Sequence, residues 1–383
     1  MACPSLAFSQ VSSGYYRVES VYTGQSLYIE SATPQDIDYS QGTISLENIR
    51  GCKDNDAKFS KPSTVIYLEV KSDLNNGDKK VDISAQGVSA SSIASGASMY
   101  LYTVASTGTT YYASASYKGI EKYLIARIFK IDFKTEGDCK VEANGTKGGD
   151  ESKFKFNIID ESNNYFGISP RIELNGEYYD PFYVAFPYSF SSTGMTAYYV
   201  NRVSEKGTDG KAYAIWSEAG ISSIKAGTPL IIKCSSNKPE KNKLKINGVT
   251  GQALSATNIM RGAYRSCPEP TNLRDVVEYN PSTMRVLGTQ DGKLVFKKST
   301  QQYIGENEAY IEVPSNYPDV LEIVTQSEYD NITGIDDITV DEVSVNPRVK
   351  GVYTIAGVRV ADTKDFDKLP SGVYIVDGKQ RTK

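Results

Sequence analysis

An all-β fold is what this sequence predicts, on three observations. Short runs rich in Val, Ile, Tyr and Phe recur along the 383 residues, separated by polar clusters that hold Gly, Asn, Asp or Pro. Hydrophobic residues make up 39% and aromatic residues 11%, which suits folded cores rather than a disordered chain. The aromatics are dominated by 28 Tyr against 12 Phe and a single Trp. A tyrosine packs its ring inward while its hydroxyl meets water or a polar ligand, so it fits half-buried strands and binding faces alike.

Residues 1–11 read as a residual export or expression segment, since the opening run is too short and weakly apolar for a complete signal peptide. Residues 12–153 read as an N-terminal β domain. Its strands fall at Gly14–Ser20, at 26–30 after a Thr-Gly turn, and at 63–70, 80–87, 98–104, 110–116 and 122–132. Even spacing with polar turns fits a trefoil-like or barrel-like domain.

Residues 154–320 read as a β-sandwich domain. Phe154, Phe156 and Ile158 alternate with polar residues as a strand requires, and Asn175-Gly176 marks a tight turn. Pro187 ends a strand or places it at an edge, because proline cannot donate to a ladder. Residues 195–203 and 211–216 form a hairpin pair, Leu230-Ile231-Ile232 a buried strand, and 284–287, 294–297 and 309–313 complete the series. Residues 321–348 are acidic and read as a connector, and 349–383 hold two strand-like runs that make a small C-terminal β hairpin.

Histidine is absent, which removes Ser-His-Asp and Cys-His catalysis and imidazole metal sites. The 46 Asp and Glu leave carboxylate chemistry open without selecting a pair, so no catalytic residue is assigned. A net charge of -4 gives no basic field for nucleic acid. The five cysteines form no CxxC pair; a Cys52–Cys139 or Cys234–Cys267 bridge is compatible with an oxidising compartment, and isolated thiols are the simpler reading. No run of eighteen apolar residues marks a membrane span. No metal site or cofactor is expected; the Asp54-Asn55-Asp56 loop clusters oxygen ligands but lacks the glycine and glutamate of an EF-hand loop.

Three stretches carry resemblances. Gly14-Tyr15-Tyr16-Arg17-Val18 with Thr23-Gly24-Gln25-Ser26-Leu27-Tyr28-Ile29 resembles the first hairpin of ricin-type β-trefoil lectin modules of secreted bacterial proteins, although their repeated Gln-x-Trp is absent. Phe186-Pro187-Tyr188-Ser189-Phe190, the stretch 224–232 and Asp291-Gly292-Lys293-Leu294-Val295-Phe296 resemble domains of secreted and surface proteins of the Bacteroides group. Residues 351–360 and 369–379 resemble the C-terminal tails of secreted Bacteroidetes proteins, some of which act as sorting signals. The resemblances imply an extracellular or outer cell-surface location, and the first implies sugar recognition by an aromatic face with polar partners.

The expected function is noncatalytic surface binding or adhesion, toward a host or environmental glycan or a surface protein. Stacking candidates are Tyr28, Tyr111, Tyr112 and Trp216, with Asn55, Asp56 and Gln86 as polar partners. Tyr111 and Tyr112 point to opposite faces of one strand, so one of them is core. Trp216 reads first as a core ring and second as a sugar platform. The alternatives are a carboxylate-based glycoside hydrolase and a purely structural surface protein.

Overall fold

The computed structural model describes residues 10–29, 35–39, 42–46, 48–52, 57–87, 97–104, 108–118, 120–128, 139–144, 147–264, 276–333, 351–355, 357–377 and 379–383. The chain divides into two compact units, Met1–Gln326 and Ser327–Lys383. Strand dominates throughout, as the sequence predicts, and two sheets close on themselves.

The first closed sheet is built from β1 (Gly14–Ser20), β2 (Ser26–Ile29), β5 (Ile49–Cys52), β6 (Ile66–Asp73), β7 (Lys79–Ala85), β8 (Ala97–Thr103), β9 (Thr110–Tyr117), β10 (Ile120–Ile128), β11 (Cys139–Asn144) and β12 (Lys153–Ile158); β3 (Gln35–Tyr39) and β4 (Gly42–Leu46) pair separately. Its strands run β1-β12-β9-β8-β7-β6 and close through β1–β6. The β2/β5 and β10/β11 pairs extend it and close again through β9–β10 and β5–β11. Alternation places Tyr16, Val18, Leu68, Val81, Leu101, Tyr111 and Phe156 in one buried core. Residues 153–158 belong to this sheet, paired with β1 and β9.

The rest of the first unit comprises β13 (Phe166–Gly167), β14 (Ile172–Leu174), β15 (Glu177–Phe182), β16 (Tyr188–Phe190), β17 (Thr196–Val203), β18 (Tyr213–Glu218), β19 (Ser223–Ile224), β20 (Leu230–Cys234), β21 (Lys243–Lys245), β22 (Met260–Ala263), β23 (Met284–Gln290), β24 (Lys293–Lys297), β25 (Glu308–Glu312) and β26 (Val320–Val324). Where the sequence predicts two facing sheets, the observed sheet closes as β15-β20-β17-β18-β26-β24-β23-β25, with β15 meeting β25 at Phe182–Glu308. A separate four-stranded sheet, β13-β21-β16-β19, shares a core with the β15-β20-β17 wall. Strand β20 is therefore buried on both faces: Ile231 packs in the ring, while Leu230 and Ile232 pack toward the small sheet. That explains its unbroken apolar run. Each such side chain contributes roughly 1.5–3 kcal/mol by leaving water.

Strand β26 falls where the sequence reads an acidic connector. Its Leu321 and Val324 are buried, and it completes the ring by pairing parallel to β18 and antiparallel to β24. A helix, Gln326–Thr333, follows it. In the second unit the expected hairpin is a four-stranded sheet of β27 (Val352–Thr354), β28 (Arg359–Ala361), β29 (Val373–Val376) and β30 (Lys379–Thr382), in the order β28-β27-β29-β30.

Side chains tie the first closed sheet to the segments that lead into and out of the four-stranded sheet. Asn247 accepts the Tyr15 N–H at 2.8 Å and donates to the carbonyls of Tyr15 at 2.9 Å and Ile159 at 2.8 Å. Arg17 is buried on the same side, donating to Asn164 and to the carbonyls of Lys58 and Tyr165. Burial pushes its guanidinium down to about 10. Cys52, Cys139 and Cys234 are buried, and because Cys139 carries no disulfide, no Cys52–Cys139 bridge forms.

Candidate functional site

The strands β8, β9 and β10 are adjacent, and their alternation sends one set of residues inward and the other outward. Met99, Leu101, Tyr111, Ala113, Ala115 and Leu124 enter the core. The opposite face carries Tyr100, Tyr102, Tyr112, Ser114, Glu121 and Tyr123. Register makes this a cluster: Tyr102 lies opposite Tyr112, while Ser114 lies between Tyr100 and Tyr123. Because Ser114 is small, the larger neighbours lean over it.

The rings of Tyr100 and Tyr102 stack at 6.1 Å, and Tyr102 meets Tyr123 at 6.0 Å. The Tyr102 hydroxyl donates to Glu121 Oε1 at 2.6 Å, and the Ser114 hydroxyl donates to the same oxygen at 2.5 Å. Burial first, and then the Glu121 carboxylate, raise the Tyr102 hydroxyl well above the ordinary phenol range and raise Tyr123 as well. The Lys147 ammonium lies over the cluster, 4.7 Å from the Tyr112 centroid, 5.4 Å from Tyr102 and 6.0 Å from Tyr123. The arrangement supplies π-faces, one carboxylate and fixed hydroxyls. Both hydroxyls converge on a single carboxylate oxygen, so Glu121 fixes the polar centre around which the rings are arranged.

Of the residues the sequence nominates, only Tyr112 belongs to this cluster. Tyr111 is fully buried: its hydroxyl accepts the Val11 N–H at 3.2 Å and its ring meets Phe156 edge-on, so it presents no stacking face. Gln86 is also buried, accepting from Asn307 at 3.1 Å and from the Ala185 N–H at 3.3 Å. It joins the two closed sheets and is unavailable to a ligand. Tyr28 stands half-buried on β2 with the Lys61 ammonium 3.7 Å above its ring. Trp216 stacks on Tyr198 at 4.3 Å and packs against the core of the second closed sheet. Asn55 and Asp56 lie outside the described residues. Sequence reasoning misses Tyr100, Tyr102, Tyr123, Glu121 and Lys147. The available signal is Tyr100-Leu101-Tyr102, two tyrosines at strand period.

A second concavity of ≈ 320 Å³ lies beside the turns Asp209-Gly210 and Asp291 on the second closed sheet. Two of its three acids are occupied structurally: Asp209 accepts the Lys211 N–H at 3.0 Å, and Glu322 pairs with Lys293 at 2.7 Å. Among the described residues no group of His, Cys, Asp and Glu is placed to hold a metal ion, and no helix is long and apolar enough to cross a membrane.

Buried phenols give the protein a measurable alkaline response. Burial raises Tyr15 to about 12 and raises Tyr102, Tyr179, Tyr188 and Tyr264 further. In the unfolded chain these groups ionise near 10, so above that pH the unfolded state binds fewer protons and stability falls as pH rises. A base titration followed at 295 nm is expected to show exposed tyrosines ionising at once, then a slower component that coincides with loss of the β circular-dichroism signal. A single rapid, reversible step for all tyrosines contradicts this assignment.

No protein-family model, no curated protein and no solved structure matches the chain.

Proposed function

We propose that the chain is a noncatalytic recognition protein of the cell exterior, and that the tyrosine face of β8–β10 binds its partner, carbohydrate being the ligand class. The observation that carries this reading is the gathering of Tyr100, Tyr102, Tyr112 and Tyr123 around the hydrogen-bonded Glu121 and Ser114. Flat rings with a few convergent polar groups suit a sugar, which has apolar C–H faces and a rim of hydroxyls. The strand order β1-β12-β9-β8-β7-β6 with the β2/β5 and β10/β11 pairs set beside it supports a trefoil-like first domain. That agrees with the lectin-module resemblance of residues 14–29. The tail resemblance supports the exterior location.

The test is a glycan array with the whole chain, followed by calorimetry on each retained glycan. Tyr102→Ala and Tyr123→Ala are each expected to weaken binding about tenfold, equivalent to about 1.4 kcal/mol. Tyr28→Ala is expected to leave it unchanged. An array with no retained glycan, or tyrosine variants that bind like the parent, removes the carbohydrate reading. Adhesion to a surface protein is then the better use of the face.

A further inference from the structure

We infer that the rings of Tyr102, Tyr112 and Tyr123 form a cage for an alkylated ammonium group, and that Lys147 is its built-in occupant. The inference rests on the same tyrosine face as the binding reading, but not on sugar being the ligand.

Three distances carry it: the Lys147 ammonium sits 4.7, 5.4 and 6.0 Å from the centroids of Tyr112, Tyr102 and Tyr123. All lie within the range where a ring's negative face attracts a cation. Among the described residues this ammonium has no hydrogen bond and no ion pair, so the rings alone hold it. The neighbouring Lys153 also lies over Tyr112, 6.0 Å from its centroid, but its ammonium is paired with Asp150 at 2.9 Å. A lysine in ring contact with no acceptor is a cation placed for its charge rather than for its N–H donors.

The cage chemistry points to the ligand class. Glu121, the acid of the cluster, already accepts from Tyr102 and Ser114. A primary ammonium entering here leaves three N–H donors to find partners. An alkylated ammonium has none to satisfy and keeps its full charge for the rings. Such a group, of the choline type, therefore loses less on leaving water than Lys147 does. Lys147 is itself exposed and can swing away. Its residence lowers apparent affinity by the fraction of time it fills the cage.

The experiment uses the whole chain and measures chemical-shift changes on titration with tetramethylammonium and choline, against sodium chloride at equal ionic strength. Controls are 3,3-dimethylbutan-1-ol, a neutral isostere of choline, and glucosamine, a primary ammonium on a sugar. Lys147→Ala is expected to bind tetramethylammonium about five- to tenfold more tightly than the parent, in line with an exposed cation–π contact. Adding Tyr123→Ala to that variant is expected to abolish the gain. The neutral alcohol is expected to show no saturable shift. Equal binding of the alcohol overturns the cation assignment, and binding of glucosamine without tetramethylammonium overturns the alkylated class. A Lys147→Ala protein that keeps its circular-dichroism spectrum and binds no tetramethylammonium overturns the cage itself. A glycan hit on the array without ammonium binding leaves face recognition standing and removes only this inference.

Discussion

Asn242→Ala is expected to destabilise the first unit by about 4 kcal/mol, because a fully buried amide then leaves five partners behind. Asn242 has no exposed surface. Its Nδ2 donates to the carbonyls of Ile168 at 2.9 Å and Ser236 at 2.7 Å. Its Oδ1 accepts from the Ser235 N–H and hydroxyl, both at 3.0 Å, and from the Ser236 N–H at 3.2 Å. One side chain thus closes the 234–242 loop and ties it to the strand-end residue Ile168. Five bonds at a net contribution of about 1 kcal/mol each set the scale of the loss, and the exposure of Ser235, which lets its groups turn to water, brings it to about 4 kcal/mol. Asn242→Asp keeps the acceptor but cannot donate to two carbonyls, so a loss of the same order is expected. Asn237→Ala, on the exposed part of the same loop, is expected to change stability by less than about 0.5 kcal/mol. The measurement is the first thermal transition, which a 4 kcal/mol loss lowers by about 10 °C. An Asn242→Ala transition within experimental error of the parent removes the amide from the set of structural anchors.

Local chemistry in this chain is readable from sequence, and long-range pairing is not. Asn175-Gly176 and Asp291-Gly292 both adopt positive φ at their two residues and turn β14 into β15 and β23 into β24. Only the residue types at those positions are needed to foresee that. The opposite facing of Tyr111 and Tyr112 follows equally from strand period, whereas which one is buried depends on Val11 and Phe156, far away in sequence. Pro181 shows how pairing overrides a residue rule. It sits inside β15, in the gap between the part of that edge covered by β14, up to Tyr179, and the contact with β25 at Phe182. Its missing N–H has no ladder partner to lose there. The tyrosine face is hidden for a related reason. Tyr102, Tyr112 and Tyr123 converge only through the registers of β8 with β9 and β9 with β10, and Lys147 reaches them from the segment between β11 and β12. Composition announces many tyrosines, but register decides which of them meet.

Gly262→Ala tests a different kind of constraint, steric rather than polar, and is expected to cost about 3 kcal/mol. Gly262 lies on β22 opposite Ala309, and a Cβ added there falls well inside van der Waals separation from Cγ, Cδ1 and Cδ2 of Tyr183. The ring has little room to retreat. Its other neighbour is Tyr264, stacked at 4.4 Å, and its backbone is held by an N–H to the Asn307 carbonyl at 3.1 Å and by the Asn307 amide on its own carbonyl at 2.8 Å. Replacing glycine by alanine restricts the unfolded chain and by itself stabilises by about 0.4–1 kcal/mol. Overlap with a pinned ring outweighs that gain, so the net sign is destabilising. Tyr183→Ala alone is expected to cost about 3 kcal/mol through the cavity it leaves. In the double variant the new methyl enters that cavity instead of striking the ring. The double variant is therefore expected to be more stable than the sum of the two losses implies, with a coupling of about 2 kcal/mol. Denaturant unfolding of the four proteins measures it directly. Strict additivity means that the glycine is not there to admit the ring; a positive coupling assigns Gly262 to the close approach of Tyr183, and with it the packing of Tyr183 and Tyr264 against β22.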